Sequence, residues 1–197
     1  MPKNEAEYRA MPVMSGDGEE ENRVRGYATT FNDPYLLYEY DGEKMYEIVD
    51  RNALEGADMS DVIMQYDHHG KVLARQSNGT LTLTPEEKGL MVSADLSKSQ
   101  AARDMYEEIK NGLVTRMSWA FVVAEDRVDH DREARTYTRT ILRVKKIYDV
   151  SAVSIPANPD TYIAARAAID GAIEAERRRD LEREKLRLKL KIGGIKA

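Results

Sequence analysis

The chain has 197 residues and no cysteine. That absence excludes disulfide staples, thiolate zinc centres and cysteine nucleophiles, and leaves the fold indifferent to redox compartment. Histidine is nearly absent too, so a base working near neutral pH must be His68, His69 or His130. No apolar run approaches the roughly 18 residues that a membrane-spanning helix needs. The first residues, with Glu5, Glu7 and Arg9, lack the apolar stretch of a signal peptide, so a soluble intracellular protein is expected. Positive charge is in deficit, with a net charge of -5. Residues 162–197 hold ten Lys/Arg against six Asp/Glu, which leaves nine net negative charges on residues 1–161. An acidic body does not suit a phosphate backbone, and the basic tail interleaves its charges, so neither nucleic acid nor membrane is an expected partner.

What is present suffices for a core. With 42% hydrophobic residues, the chain suits one domain of about 150 residues plus an extension. Residues 1–22, with Gly16, Gly18 and the run Glu19-Glu20-Glu21, show little periodicity and read as a flexible lead-in. The domain itself is placed at 23–161. Strands are expected at Val24–Phe31, Lys44–Val49, Asp61–Tyr66, Lys71–Gln76, Leu81–Thr84 and Leu90–Leu96, with Tyr35, Tyr38 and Tyr40 in a loop. Asn78-Gly79 is a two-residue hairpin signal, since both residues tolerate positive φ. Ala102, Met105, Tyr106 and Ile109 recur at helical spacing over Gln100–Asn111, capped by Ser97 or Ser99 and stopped by Gly112. Strands follow from Gly112 to Val123 and from Arg135 to Ile155, ending at Pro156, with a charged turn at Asp126–Glu133 between them. Residues 162–197 form a charged, mainly helical extension. Its helix opens at Thr161 and runs toward Glu184, and Lys185–Ile192 then alternates with period two, as a frayed helix or an added strand would. Short strands at regular spacing point to a barrel or a sandwich.

The chemistry centres on Ser118, set in the apolar run Met117-Ser118-Trp119-Ala120-Phe121. A serine becomes nucleophilic beside a base, and His68 and His69 follow a strand directly. Asp149 shares a strand face with Ile147, Ser151 and Val153, so its carboxylate is partly buried and wants a partner, for which a histidine is suitable. Spacing alone leaves the choice between His68 and His69 open. Asp67, His68 and His69 also offer metal-type ligands, but successive residues of a strand point to opposite sides and no paired-histidine metal spacing occurs. Metal hydrolysis therefore ranks below serine chemistry, and neither a metal nor a cofactor is expected.

These residues resemble a family, the prohead (head-maturation) proteases of tailed bacteriophages and prophages, distantly related to herpesvirus assemblin. The likeness is carried by Gly26-Tyr27-Ala28, Tyr66-Asp67-His68, Val72-Leu73-Ala74-Arg75 and Asn78-Gly79-Thr80-Leu81, then by Gly89-Leu90, Met117-Ser118-Trp119-Ala120-Phe121, Asp149-Val150-Ser151 and Pro156-Ala157. The resemblance implies an α+β fold, a β-barrel of mainly antiparallel strands surrounded by helices, with a C-terminal helical extension. It implies a serine endopeptidase with His68 as base and Ser118 as nucleophile. Asp67 stands where the family usually has Asn. The third member maps onto Asp149, whereas assemblin uses a second histidine, for which His130 is a poor substitute. The implied substrates are the scaffold segment of the major capsid protein and the protease itself, which also raises a homodimer or higher oligomer. The implied place of action is the host cytoplasm, inside the assembling procapsid. The rival expectation is a non-catalytic capsid-assembly factor of the same fold.

Overall fold

A computed structural model describes residues 6–12, 15–16, 21–154 and 163–193. In chain order its elements are β1 (Glu7–Pro12), β2 (Ser15–Gly16), β3 (Arg23–Thr30), β4 (Tyr35–Tyr40), β5 (Glu43–Val49), β6 (Ile63–Tyr66), β7 (His69–Arg75), β8 (Leu81–Pro85) and β9 (Gly89–Asp95). They continue with α1 (Gln100–Lys110), β10 (Arg116–Asp131), β11 (Thr136–Val153) and α2 (Ile163–Gly193).

The long strands β10 and β11 pair antiparallel and organise a seven-stranded sheet. β1 adds to the outer edge of β10, while β5 and β6 pair parallel with opposite halves of β11. A second sheet runs β2-β3-β9-β8. Side chains of both sheets, among them Val24, Leu81, Leu90, Met64, Met117, Trp119, Phe121 and Ile147, share one core with Ala102, Met105, Tyr106 and Ile109 of α1. The α+β class therefore holds, but the expected closed barrel ringed by helices does not. Among the described residues, pairing falls into two separate sheets accompanied by two helices. Register shifts between Ala120 and Asp126 bend the β10–β11 ribbon, and another at Tyr27/Thr29 bends β3, so the layers meet by side-chain packing instead of continuous hydrogen bonding.

Close packing of β3 against β9 requires glycine at one point. A Cβ on Gly89 would lie 2.0 Å from the Thr29 carbonyl oxygen, a backbone atom that cannot swing away. Helix α1 follows its sequence signals: Ser99 Oγ accepts from Ala102 N at 3.1 Å, and Gly112 ends it at φ +73°.

Several local expectations change. The tyrosines of 35–40 lie on β4, not in a loop. Asn78-Gly79 does not join paired strands, because β7 pairs with β6 and β8 with β9; the Asn78 side chain instead accepts from Thr80 N at 3.1 Å to close a turn between the two sheets. The charged stretch from Asp126 belongs to β10, and the reversal is confined to 132–135, where the Asp131 carboxylate accepts the Glu133 and Ala134 amides at 3.0 Å each. Glu7–Pro12, which shows little periodicity, forms an edge strand. A core-facing ion cluster ties it down: Arg9 Nε donates to Glu47 Oε1 at 2.7 Å, and Arg139 Nη1 donates to Glu7 Oε2 at 2.6 Å and to Glu47 Oε2 at 2.9 Å. The expected strand end at Pro156 and helix opening at Thr161 lie outside the described residues.

Helix α2 has two parts. Ile173 packs on the small cluster of Leu37, Met45 and Tyr137, while Glu176 accepts from His130 Nδ1 at 2.8 Å and Asp180 accepts from Arg132 at 2.6 Å. Beyond them the helix continues through the period-two stretch, so Lys185–Ile192 is not a strand, and Leu181, Leu186 and Leu188 are each more than half exposed. Among the described residues no helix is long and apolar enough to cross a membrane.

Candidate active site

β10 and β11 bring the nucleophile and acid candidates together. Ser118 lies across from Ser151, and Asp149 lies across from Ala120, so Ser118 and Asp149 are diagonal neighbours on adjacent strands. The histidine arrives from the other side of β11. β6 runs parallel to Asp149–Ala152, and the chain then reverses into β7 through Asp67 and His68, flanked by the pair Tyr66 and His69. Both central residues adopt left-handed backbone, with φ +47° at Asp67 and +61° at His68. Two consecutive positive φ values match the right-handed twist of a hairpin, but for residues with a Cβ each costs on the order of 1 kcal/mol.

Asp67 offsets that strain. Its amide donates to the Ala152 carbonyl at 2.9 Å, and its carboxylate accepts from Ser154 N at 3.0 Å and Ser154 Oγ at 2.9 Å. The turn is thereby clipped to the end of β11. His68 is left with its ring between the other two candidates: Nδ1 lies 2.7 Å from Asp149 Oδ1, and Nε2 lies 2.7 Å from Ser118 Oγ. An ionised carboxylate only accepts, so Nδ1 carries the proton and Nε2 is free to accept from the serine hydroxyl. All three side chains predicted from the sequence thus meet. His69 points elsewhere, its Nδ1 against the Asp67 carbonyl oxygen, and His130 bonds to Glu176 with its ring stacked on Tyr137 at 3.9 Å. The geometry separates His68 from His69, which spacing had left open.

Two of the three side chains are buried. Ser118 is 2% exposed and Asp149 7%. Tyr8 of β1 packs edge-on against the His68 ring, with centroids 4.5 Å apart. Burial, and then the negative charge of Asp149, raise the Tyr8 pKa above the ordinary phenol value, so the side chain stays neutral beside the carboxylate. Arg116 lies two residues before Ser118 on β10, while Arg75 of β7 is engaged with Asp61 at 3.2 Å. Three contributors were missed by sequence reasoning. Ser151 had a legible signal, its i,i+2 spacing from Asp149 on one strand face. Neither Tyr8, on a segment without periodicity, nor the clip made by Asp67 had one.

A hydroxyl, an imidazole and a carboxylate in series, inside a water-poor β scaffold, form the constellation of acyl-transferring serine hydrolases. Over residues 9–173 the chain matches the Caudovirus prohead serine protease family, and it belongs to that family. It is similar to the prohead protease of Enterobacteria phage HK97, with 28% identity over 159 residues, which cover 80% of this chain. The match spans 65% of that relative's length. No solved structure matches the chain.

Proposed function

We propose that the protein is a serine endopeptidase of phage head maturation, which cleaves the scaffold segment of the major capsid protein, and itself, inside the procapsid of the host cell. The relay Ser118–His68–Asp149, with two 2.7 Å contacts, carries this reading. In it, Ser118 Oγ attacks the scissile carbonyl carbon as His68 Nε2 takes its proton. Asp149 holds the tautomer and stabilises the imidazolium. The tetrahedral intermediate collapses when His68 returns the proton to the leaving amine, and water then repeats the cycle on the acyl-enzyme. Backbone amides near Ser118, or Arg116, would stabilise the oxyanion, and one such donor is typically worth about 2.7–4 kcal/mol.

Coexpression with the capsid protein tests the proposal. The wild-type chain should convert the capsid protein to a shorter product with a single new terminus, mapped by mass spectrometry. An intact capsid protein beside a well-folded wild-type chain would favour the non-catalytic assembly factor, a reading that the near-complete burial of Ser118 keeps in play.

The far end of α2 supports a docking role in the same process. Its exposed leucines are interleaved with Arg183, Lys185, Arg187, Lys189 and Lys191, against Glu182 and Glu184, a net-basic stretch suited to an acidic scaffold segment. Because Ile173, Glu176 and Asp180 hold α2 to the sheet, the informative truncation falls after Asp180. That shortened chain should label with a serine-reactive phosphonate at the wild-type rate but fail to enter procapsids. Normal incorporation would remove docking from the role of this segment.

A further inference from the structure

The relay does not stop at the carboxylate. Ser151 is fully buried, and its Oγ donates to Asp149 Oδ1 at 2.6 Å, to the same oxygen that receives His68 Nδ1 at 2.7 Å. Asp149 and Ser151 are two residues apart on β11 and so share a face, while Ser151 is also the register partner of Ser118 on β10. A carboxylate held by one donor can rotate about its terminal torsion and offer either oxygen. Two donors converging on Oδ1, one from β11 and one from the turn between β6 and β7, fix which oxygen faces the imidazole. The hydroxyl gives its hydrogen to a carboxylate and has no base of its own, so it is no competing nucleophile.

We infer that Ser151 is a positioning residue, acting on Ser118 through Asp149 and His68; the inference rests on the relay reading above. The probe is a fluorophosphonate, which needs no knowledge of the cleavage site. Ser118 Oγ forms an O–P bond, fluoride leaves, and the serine proton passes to His68. The rate of adduct formation, read by intact mass on the full chain, therefore reports the nucleophilicity of Ser118 directly.

Ser151→Ala should slow labelling roughly tenfold, as expected for losing a hydrogen bond to a charged group, and Ser151→Thr, which restores a hydroxyl, should recover most of the rate. In the Asp149→Ala background the same substitution should cost nothing further, because the residue through which Ser151 acts is gone. A packing role would instead slow both backgrounds by one factor. Labelling of Ser151→Ala at the wild-type rate, or an equal loss in both backgrounds, overturns the inference while leaving the relay intact. If the wild-type chain takes no adduct, or the Ser118→Ala chain still does, the relay reading itself fails and the inference with it.

Discussion

Ser118→Ala is expected to abolish capsid-protein cleavage and phosphonate labelling while the chain folds normally. The loss should be on the order of 10⁴–10⁶-fold, since members of a catalytic relay act as a unit and removing one removes most of what all of them supply. Folding should be spared, because the change deletes one oxygen from a buried site and leaves only His68 Nε2 without its partner, a cost of about 1 kcal/mol. His68→Ala should lose a comparable amount of activity. His69→Ala should keep most of it, because that ring contacts the Asp67 carbonyl on the outside of the turn and not the serine. Rates for the three variants, each normalised to folded protein by circular dichroism, settle the assignment. An active His68→Ala chain alongside an inactive His69→Ala chain would move the base to His69.

Glu47→Ala should be strongly destabilising, by about 3–5 kcal/mol, because it breaks a buried charge network from one side. Glu47 is fully buried and accepts from Arg9 and Arg139, each 2% exposed, and from the Tyr35 hydroxyl. Without it, Arg9 keeps Glu7, and Arg139 keeps Glu7 and Asp126, but two buried cations face less negative charge and Tyr35 loses its acceptor. Urea unfolding measures the change, and a loss below about 1 kcal/mol would mean that water or neighbouring carboxylates already compensate the arginines. The pH dependence has a definite sign. Burial opposes the charge on Glu47, but Arg9 and Arg139 outweigh it and hold the pKa below the usual glutamate value. A depressed carboxylate contributes stability that is present above its unfolded pKa of about 4.3 and lost as pH falls through the folded value. The wild-type chain should therefore lose stability on acidification below that point, and Glu47→Gln should flatten this part of the profile.

This network also explains why β1 escaped the sequence reading. Glu7 and Arg9 look like ordinary solvated charges in a stretch without apolar alternation, and charge normally signals surface. They are buried because partners 38 and 132 residues away neutralise them, and no local pattern encodes pairs at such separations. Turn chemistry is hard to read for a related reason. Asn78-Gly79 carries the residues of a tight hairpin but lies between strands of different sheets, whereas Asp67-His68 adopts the paired left-handed conformation with no glycine to advertise it. The clip to Ser154 makes that conformation tolerable, and it comes from the far end of β11.

By itself the sequence determined what depends on short-range periodicity and residue chemistry. The α1 stripe and most of the strands come from residue types within a few positions of one another, and the scarcity of histidine in the composition narrows the candidates to Ser118, two adjacent histidines and Asp149. The long-range arrangement was decided only in three dimensions. Whether the strands closed into one barrel or stacked as two sheets depended on bulges and on β5 and β6 sharing one edge of β11. His68, and not His69, stands beside Ser118 because a strained turn aims one ring inward and its neighbour out. Ser151 lies beside this cluster because pairing of β10 with β11 sets it opposite Ser118. Each of these rests on contacts between residues 15 or more positions apart, and their energies exist only once the chain has closed those loops.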